Sequence, residues 1–151
     1  MLKELPHRAW CALAPSLLGL GTASGGGHRV RLDVKSKYQP GSLSVDVLTP
    51  DLISRDSKLR VVYVLPVEPR DEHTSGYGLD VVDRLNLQNK YGVIFVAPTF
   101  AQTPWFADHP SDPLRRQESH FLRVVVPLIE SRFPVLKRPE GRLLVGYSKS
   151  G

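Results

Sequence analysis

The sequence predicts an α/β fold in which an antiparallel N-terminal hairpin leads into parallel strands alternating with helices. Three observations predict it. Two segments near the start alternate apolar and polar residues with period two. Three later runs are short, almost wholly apolar and rich in β-branched residues. The stretches between those runs carry apolar residues at intervals of three and four.

The alternating segments are Arg29 to Val34 and Ser42 to Thr49, the pattern of half-buried strands. Tyr38-Gln39-Pro40-Gly41 lies between them and reads as the turn, since proline presets one dihedral and glycine tolerates positive φ. Lys58 to Leu65, ended by Pro66, reads as a strand covered on both faces, as does Val93 to Ala97, closed by Pro98. Between them, Leu79, Val82 and Leu85 fit one helix over Tyr77 to Tyr91, stopped by Gly92. A second helix is expected over Leu114 to Phe133, where Phe121, Leu122, Val125, Leu128, Ile129 and Phe133 repeat at helical spacing. Pro127 should kink it by removing a backbone donor and clashing with the preceding turn. Arg142 to Val145 is a last short apolar strand.

Bulk properties exclude several classes. The chain has 151 residues, enough for one domain with a core, and its 41% hydrophobic and 23% charged residues are ordinary for a globular protein. The net charge of +5 is scattered, and short runs such as Lys35-Ser36-Lys37 and Arg115-Arg116 lack interleaved aromatics, so a nucleic-acid groove is not expected. Lys3 and Arg8, the uncharged run Ala9 to Leu20 and the small residues Gly21-Thr22-Ala23 make residues 1–23 a signal peptide, implying a secreted or periplasmic protein. A buried N-terminal helix or a misplaced start codon are the other readings of that segment. Pro15 and the following glycines make it a poor membrane span. Cys11, the only cysteine, would leave with the leader, so no disulfide or thiol chemistry is expected.

The residues that carry chemistry lie at the C-terminal end. A serine hydroxyl is a weak nucleophile and must be presented free of obstruction to a base and a substrate. A sharp turn after a strand does this when small residues sit two before and two after the serine. Gly146 and Ser148 meet the demand directly after Arg142 to Val145, and Ser150 stands where glycine is usual. Ser150 is the weaker nucleophile candidate. A phosphate loop is excluded: Gly141 and Gly146 have its separation, but Tyr147 occupies the lysine position. Asp108, His109 and Asp112 share one proline-rich loop without the spacing of a metal site. Asp71, Glu72 and His73 read as a solvated loop, and His120 as an ordinary, partly exposed helix residue. No metal and no cofactor are expected.

From Arg29 to Gly151 the chain resembles the esterase-D-like putative esterases of the α/β-hydrolase superfamily. These include feruloyl and acetylxylan esterases, S-formylglutathione hydrolases and mycolyltransferases. The resemblance is carried by Val61 to Pro66 (VVYVLP), by Pro98 to Pro110 (PTFAQTPWFADHP) and by Glu118 to Gly151, with its proline-bearing helix and elbow strand. It implies an α/β-hydrolase-like sheet over 29–151, truncated after the nucleophile elbow. Ser148 matches the nucleophile, and the backbone N–H of Lys149 would serve the oxyanion. The second donor would come from Val67 or Glu68, in a loop that is glycine-rich in many relatives and here reads Val67-Glu68-Pro69-Arg70. Trp105, Phe106 and His109 are the candidates to line a substrate pocket.

The resemblance implies a small-molecule or carbohydrate ester as substrate, without naming which, and leaves the oligomeric state open. In this fold the acid and the histidine follow the serine in chain order, and neither follows Ser148 here. An incomplete triad, and poor solubility from an apolar strand edge, are therefore expected. The alternative is a secreted, non-catalytic binding module or inactive fragment that kept the hydrolase sheet.

Overall fold

The computed structural model describes residues 27–54, 56–69 and 78–151. The proposed leader, Cys11, Tyr77 and the loop residues Asp71 to His73 lie outside the described residues. Strands β1 (His28–Ser36) and β2 (Gln39–Thr49) pair antiparallel, as their alternation predicts. The turn itself falls earlier than expected, at Lys37 and Tyr38, with Pro40 and Gly41 inside β2 at a shift of register. The cause is Gln39, whose buried amide donates to the Tyr38 carbonyl (3.1 Å) and accepts the Ala101 N–H (3.2 Å). Drawing Gln39 inward starts the strand there, and the irregularity lands on proline, which has no N–H, and on Gly41 at φ 76°.

β2 is also buried on both faces rather than one. Val45 and Val47 enter one core, Leu48 the other, and the buried Asp46 accepts both 2.7 and 2.9 Å hydrogen bonds from Arg31. Arg29 bridges from Asp46 to Asp80 on the first helix.

Strands β4 (Ile94–Pro98) and β5 (Arg142–Val145) coincide closely with the last two apolar runs, whereas β3 (Val61–Val64) takes only part of Lys58 to Leu65, with Leu59 making an isolated bridge to Val135 instead. The sheet order is β1-β2-β4-β3-β5, with β2 antiparallel to β4 and β3 parallel to both β4 and β5. The runs that form β3 and β4 are continuous because each face of the sheet has its own core. Val61, Tyr63, Ile94 and Val96 pack under Val125, Val126 and Ile129, while Val62 and Phe95 pack on the opposite face with Leu79 and Val82. Tyr63 meets Phe121 edge-on at 5.0 Å, and burial, with Glu130 adding to it, pushes its phenol pKa well up. Among the described residues β5 is one of the two edge strands of the sheet, opposite β1, and Leu144 on it is 61% exposed.

The first predicted helix is two: α1 (Gly78–Arg84) and α2 (Leu87–Tyr91). The break is at Asn86, in the left-handed region at φ 53°, where its side-chain oxygen accepts from Gln88 (3.1 Å) and Asn89 (2.6 Å). Asparagine tolerates this conformation better than other residues and uses the side chain to fix it. Leu85 is left exposed, whereas Gln88 is buried, and Gly92 ends α2 at φ 60° as expected. Asn86→Ala should cost about 1–2 kcal/mol, combining left-handed strain with two lost hydrogen bonds. Urea melts of the two proteins measure it.

The second helix is one rod of three segments: α3 (Gln117–His120), a π-helical stretch over Phe121–Val125, and α4 (Val126–Arg132). It begins three residues later than predicted, because Leu114 donates its N–H to the Asp112 carboxylate and stays outside the helix, exposed. The π stretch immediately precedes the segment that holds Pro127. Pro127 falls in the first turn of α4, where its missing N–H is least needed. Among the described residues no helix is long and apolar enough to cross a membrane.

Candidate active site

β5 delivers the chain to Tyr147, which is extended, and then to Ser148 at φ 56°. A serine in the left-handed region costs roughly 1–2 kcal/mol, so the turn is held by its surroundings. Gly146 explains how. A Cβ at Gly146 would collide with the Ser150 carbonyl, so the two arms of the bend pass too closely for any side chain there. Gly146→Ala should therefore lower stability by about 1–3 kcal/mol, as overpacking does, a loss visible as a lower Tm. Ser148 is exposed at the apex and opens a single 3₁₀ turn, Ser148–Ser150.

The loop after β3 is fastened to this bend. Leu65 donates its N–H to the Val145 carbonyl (2.8 Å), continuing the ladder one residue past the strands. The Ser150 hydroxyl donates to the Pro66 carbonyl at 2.6 Å. The position where glycine was expected thus carries a tether that glycine lacks. The Lys149 side chain reaches Glu68 at 2.8 Å and lies 5.9 Å from the centre of the Trp105 ring. The structure thus brings together Ser148, Lys149, Glu68 and Trp105, with Val67 beside them in the fastened loop. Among the described residues, the backbone N–H groups of Lys149, Val67 and Glu68 donate to no protein acceptor.

Phe106 and His109 are placed differently from Trp105. Phe106 turns its ring inward against buried Phe100, at 5.5 Å and nearly perpendicular, so it packs the loop rather than walling a site. The His109 ring nitrogen Nδ1 accepts the N–H groups of Ser111 (3.3 Å) and Asp112 (3.0 Å), closing a local turn. His120, read as partly exposed, is fully buried between Ser36, whose hydroxyl lies 3.0 Å from Nδ1, and Phe100, 5.8 Å away ring to ring. Burial brings its pKa down from 6.5 to about 4. Neither His109 nor His120 hydrogen-bonds Ser148.

Two structural residues had no sequence signal. Gln117, next to charged Arg116 and Glu118, looks like a solvated helix start, yet is 4% exposed and binds the loop that carries Trp105. Asp108 accepts the backbone N–H (2.9 Å) and hydroxyl (2.5 Å) of Ser119 in α3. Desolvation raises its pKa, but those hydrogen bonds, with Arg116 and Arg123, outweigh it and hold the carboxyl below its usual range. Among the described residues no three His, Cys, Asp or Glu side chains gather as a metal site would need.

A mixed sheet of this order, with a strained serine at the tip of β5 and helices on both faces, is the α/β-hydrolase fold. Solved structures with this fold include three hydrolases. An S-formylglutathione hydrolase from Agrobacterium tumefaciens superposes with TM-score 0.65 at 14% identity over 86% of this chain and 52% of its own. A ferulic acid esterase from Anaeromyces mucronatus gives TM-score 0.60 at 19% identity, over 86% and 53%. A fluorophosphonate-binding serine hydrolase from Staphylococcus aureus gives 0.62 at 14%, over 83% and 49%. The chain therefore spans about half the length of these structures. No family model and no curated protein matches the sequence.

Proposed function

We propose that this chain carries the nucleophile half of a serine hydrolase acting on carboxylic esters. The observation that carries the reading is the strained, exposed Ser148 over Gly146 at the end of a parallel strand. Esterases of the same fold support it. Ser148 Oγ attacks the ester carbonyl, and its proton passes to a base and then to the departing alcohol, leaving an acyl-enzyme that water cleaves. The oxyanion is held by the unengaged N–H groups of Lys149 and of Val67 or Glu68, donors worth roughly 3–4 kcal/mol each in the transition state. The base and its carboxylate come from outside the described residues, since His120 is sealed and His109 is engaged in its own loop.

The ester is a small molecule or a carbohydrate ester, met outside the cytoplasm if residues 1–23 act as the export signal they resemble. One observation favours a second reading, a non-catalytic binding module: no described histidine bonds to Ser148. Intact-mass analysis after treatment with an alkyl fluorophosphonate separates the two. A single adduct, absent in Ser148→Ala, supports the hydrolase; folded protein that gains no adduct supports the module.

A further inference from the structure

Gln117 begins α3 and is buried under the loop that precedes it. Its side-chain oxygen accepts the N–H groups of Trp105 (2.7 Å) and Phe106 (3.1 Å). Its side-chain nitrogen donates to the carbonyls of Thr103 (3.0 Å) and Gln102 (3.5 Å). Between Gln102 and Phe106 the loop has no strand ladder, and one amide side chain engages four of its backbone groups. Only a side chain that accepts and donates at once does this, and glutamine has the reach.

The clamp has a directional consequence. Phe106 is held at φ 56°, a costly conformation for an aromatic residue, and its ring is locked against Phe100. With both flanks pinned, Trp105 is driven outward. It stays 68% exposed, yet its ring faces the ammonium of Lys149, the residue after Ser148. A cation lying over an indole face is attractive, and this one lies at the outer limit of useful range. Gln117 therefore holds the Trp105 backbone while Lys149, the residue after Ser148, meets its indole.

We propose that Gln117 is a positioning residue for substrate selection, setting Trp105 as an aromatic wall beside the nucleophile. The proposal rests on the reading of Ser148 given above, and is tested in two ways of which one does not need that reading. In the full chain carrying Trp10→Phe, Trp105 is the remaining tryptophan. Its acrylamide quenching and emission should change in Gln117→Leu, while Gln117→Glu, which keeps the acceptor for the Trp105 N–H, stays closer to the parent. Labelling of Ser148 by an aryl and by an alkyl fluorophosphonate gives the second readout. The aryl-to-alkyl rate ratio should fall about threefold to tenfold in Gln117→Leu, the worth of one aromatic contact, with partial recovery in Gln117→Glu. A loop staple without a role in selection would alter melting but leave that ratio alone. Unchanged quenching in Gln117→Leu, or an unchanged ratio in labelled protein, overturns the proposal. A parent protein that neither probe labels counts against the nucleophile, and the quenching then decides the role of Gln117.

Discussion

Ser148→Gly should make the protein more stable while removing its reactivity, and Ser148→Ala should remove reactivity without that gain. The difference follows from the backbone. At φ 56° serine and alanine both carry a Cβ against the neighbouring carbonyl, at roughly 1–2 kcal/mol, and glycine does not. Glycine also frees the unfolded chain, which takes back about 0.5–1 kcal/mol. Ser148→Gly should thus exceed Ser148→Ala in stability by about 0.5–1 kcal/mol. Neither variant has a hydroxyl to attack a carbonyl or a fluorophosphonate, so labelling should fall at least about 10⁴-fold in both, in line with loss of a nucleophile elsewhere. Urea melts and intact-mass labelling of the three proteins give both quantities. A Ser148→Gly protein less stable than Ser148→Ala would mean that the bend is not strained. Labelling that survives in Ser148→Ala would move the nucleophile elsewhere, with Ser150 the first place to look.

What could be read from the sequence was what depends on neighbours along the chain. β5 and its bend were legible because a strand, a small residue and a serine within a few positions suffice to specify an elbow. β3 and β4 were legible because burial on both faces demands unbroken apolar runs. The split between α1 and α2 was not, since Asn86 at an apolar helix period looks like one more polar residue. Its left-handed conformation goes with side-chain hydrogen bonds from the buried Gln88 and from Asn89, which no local pattern reveals. Gln117 failed for the same reason: its partners are backbone groups up to fifteen residues away. Ser150 was noticed only as a departure from glycine, whereas its hydroxyl is what joins the bend to the loop after β3. In each case the missed role belongs to a polar side chain used in the interior, where hydropathy points the wrong way.

His120 is another of those residues, and it predicts how the protein responds to acid. Its ring is fully buried, packed beside Phe100, and holds one hydrogen bond, to Ser36. Nε2 has no partner, so a proton placed there would be an uncompensated buried charge. Burial accordingly lowers the pKa from 6.5 to about 4. Above pH 6.5 the imidazole is neutral in folded and unfolded chains alike, and pH has no hold on stability through this group. Between pH 6.5 and 4 the unfolded chain takes up a proton that the folded chain refuses, so stability falls as pH falls. The loss accumulates to roughly 3 kcal/mol at the folded pKa and then levels off. His120→Gln, which can keep a hydrogen bond to Ser36 and does not titrate, should lack this slope. Urea melts of the two proteins between pH 7 and pH 4 would show the curves converging if the account is right, and parallel curves would refute it. The same burial bears on catalysis. A histidine that refuses its proton until pH 4 and has no path to Ser148 cannot relay protons for it. It instead ties the aromatic loop to the hairpin, through Phe100 on one side and Ser36 on the other. Acid should therefore loosen the loop that carries Trp105 before it reaches the strand that presents Ser148.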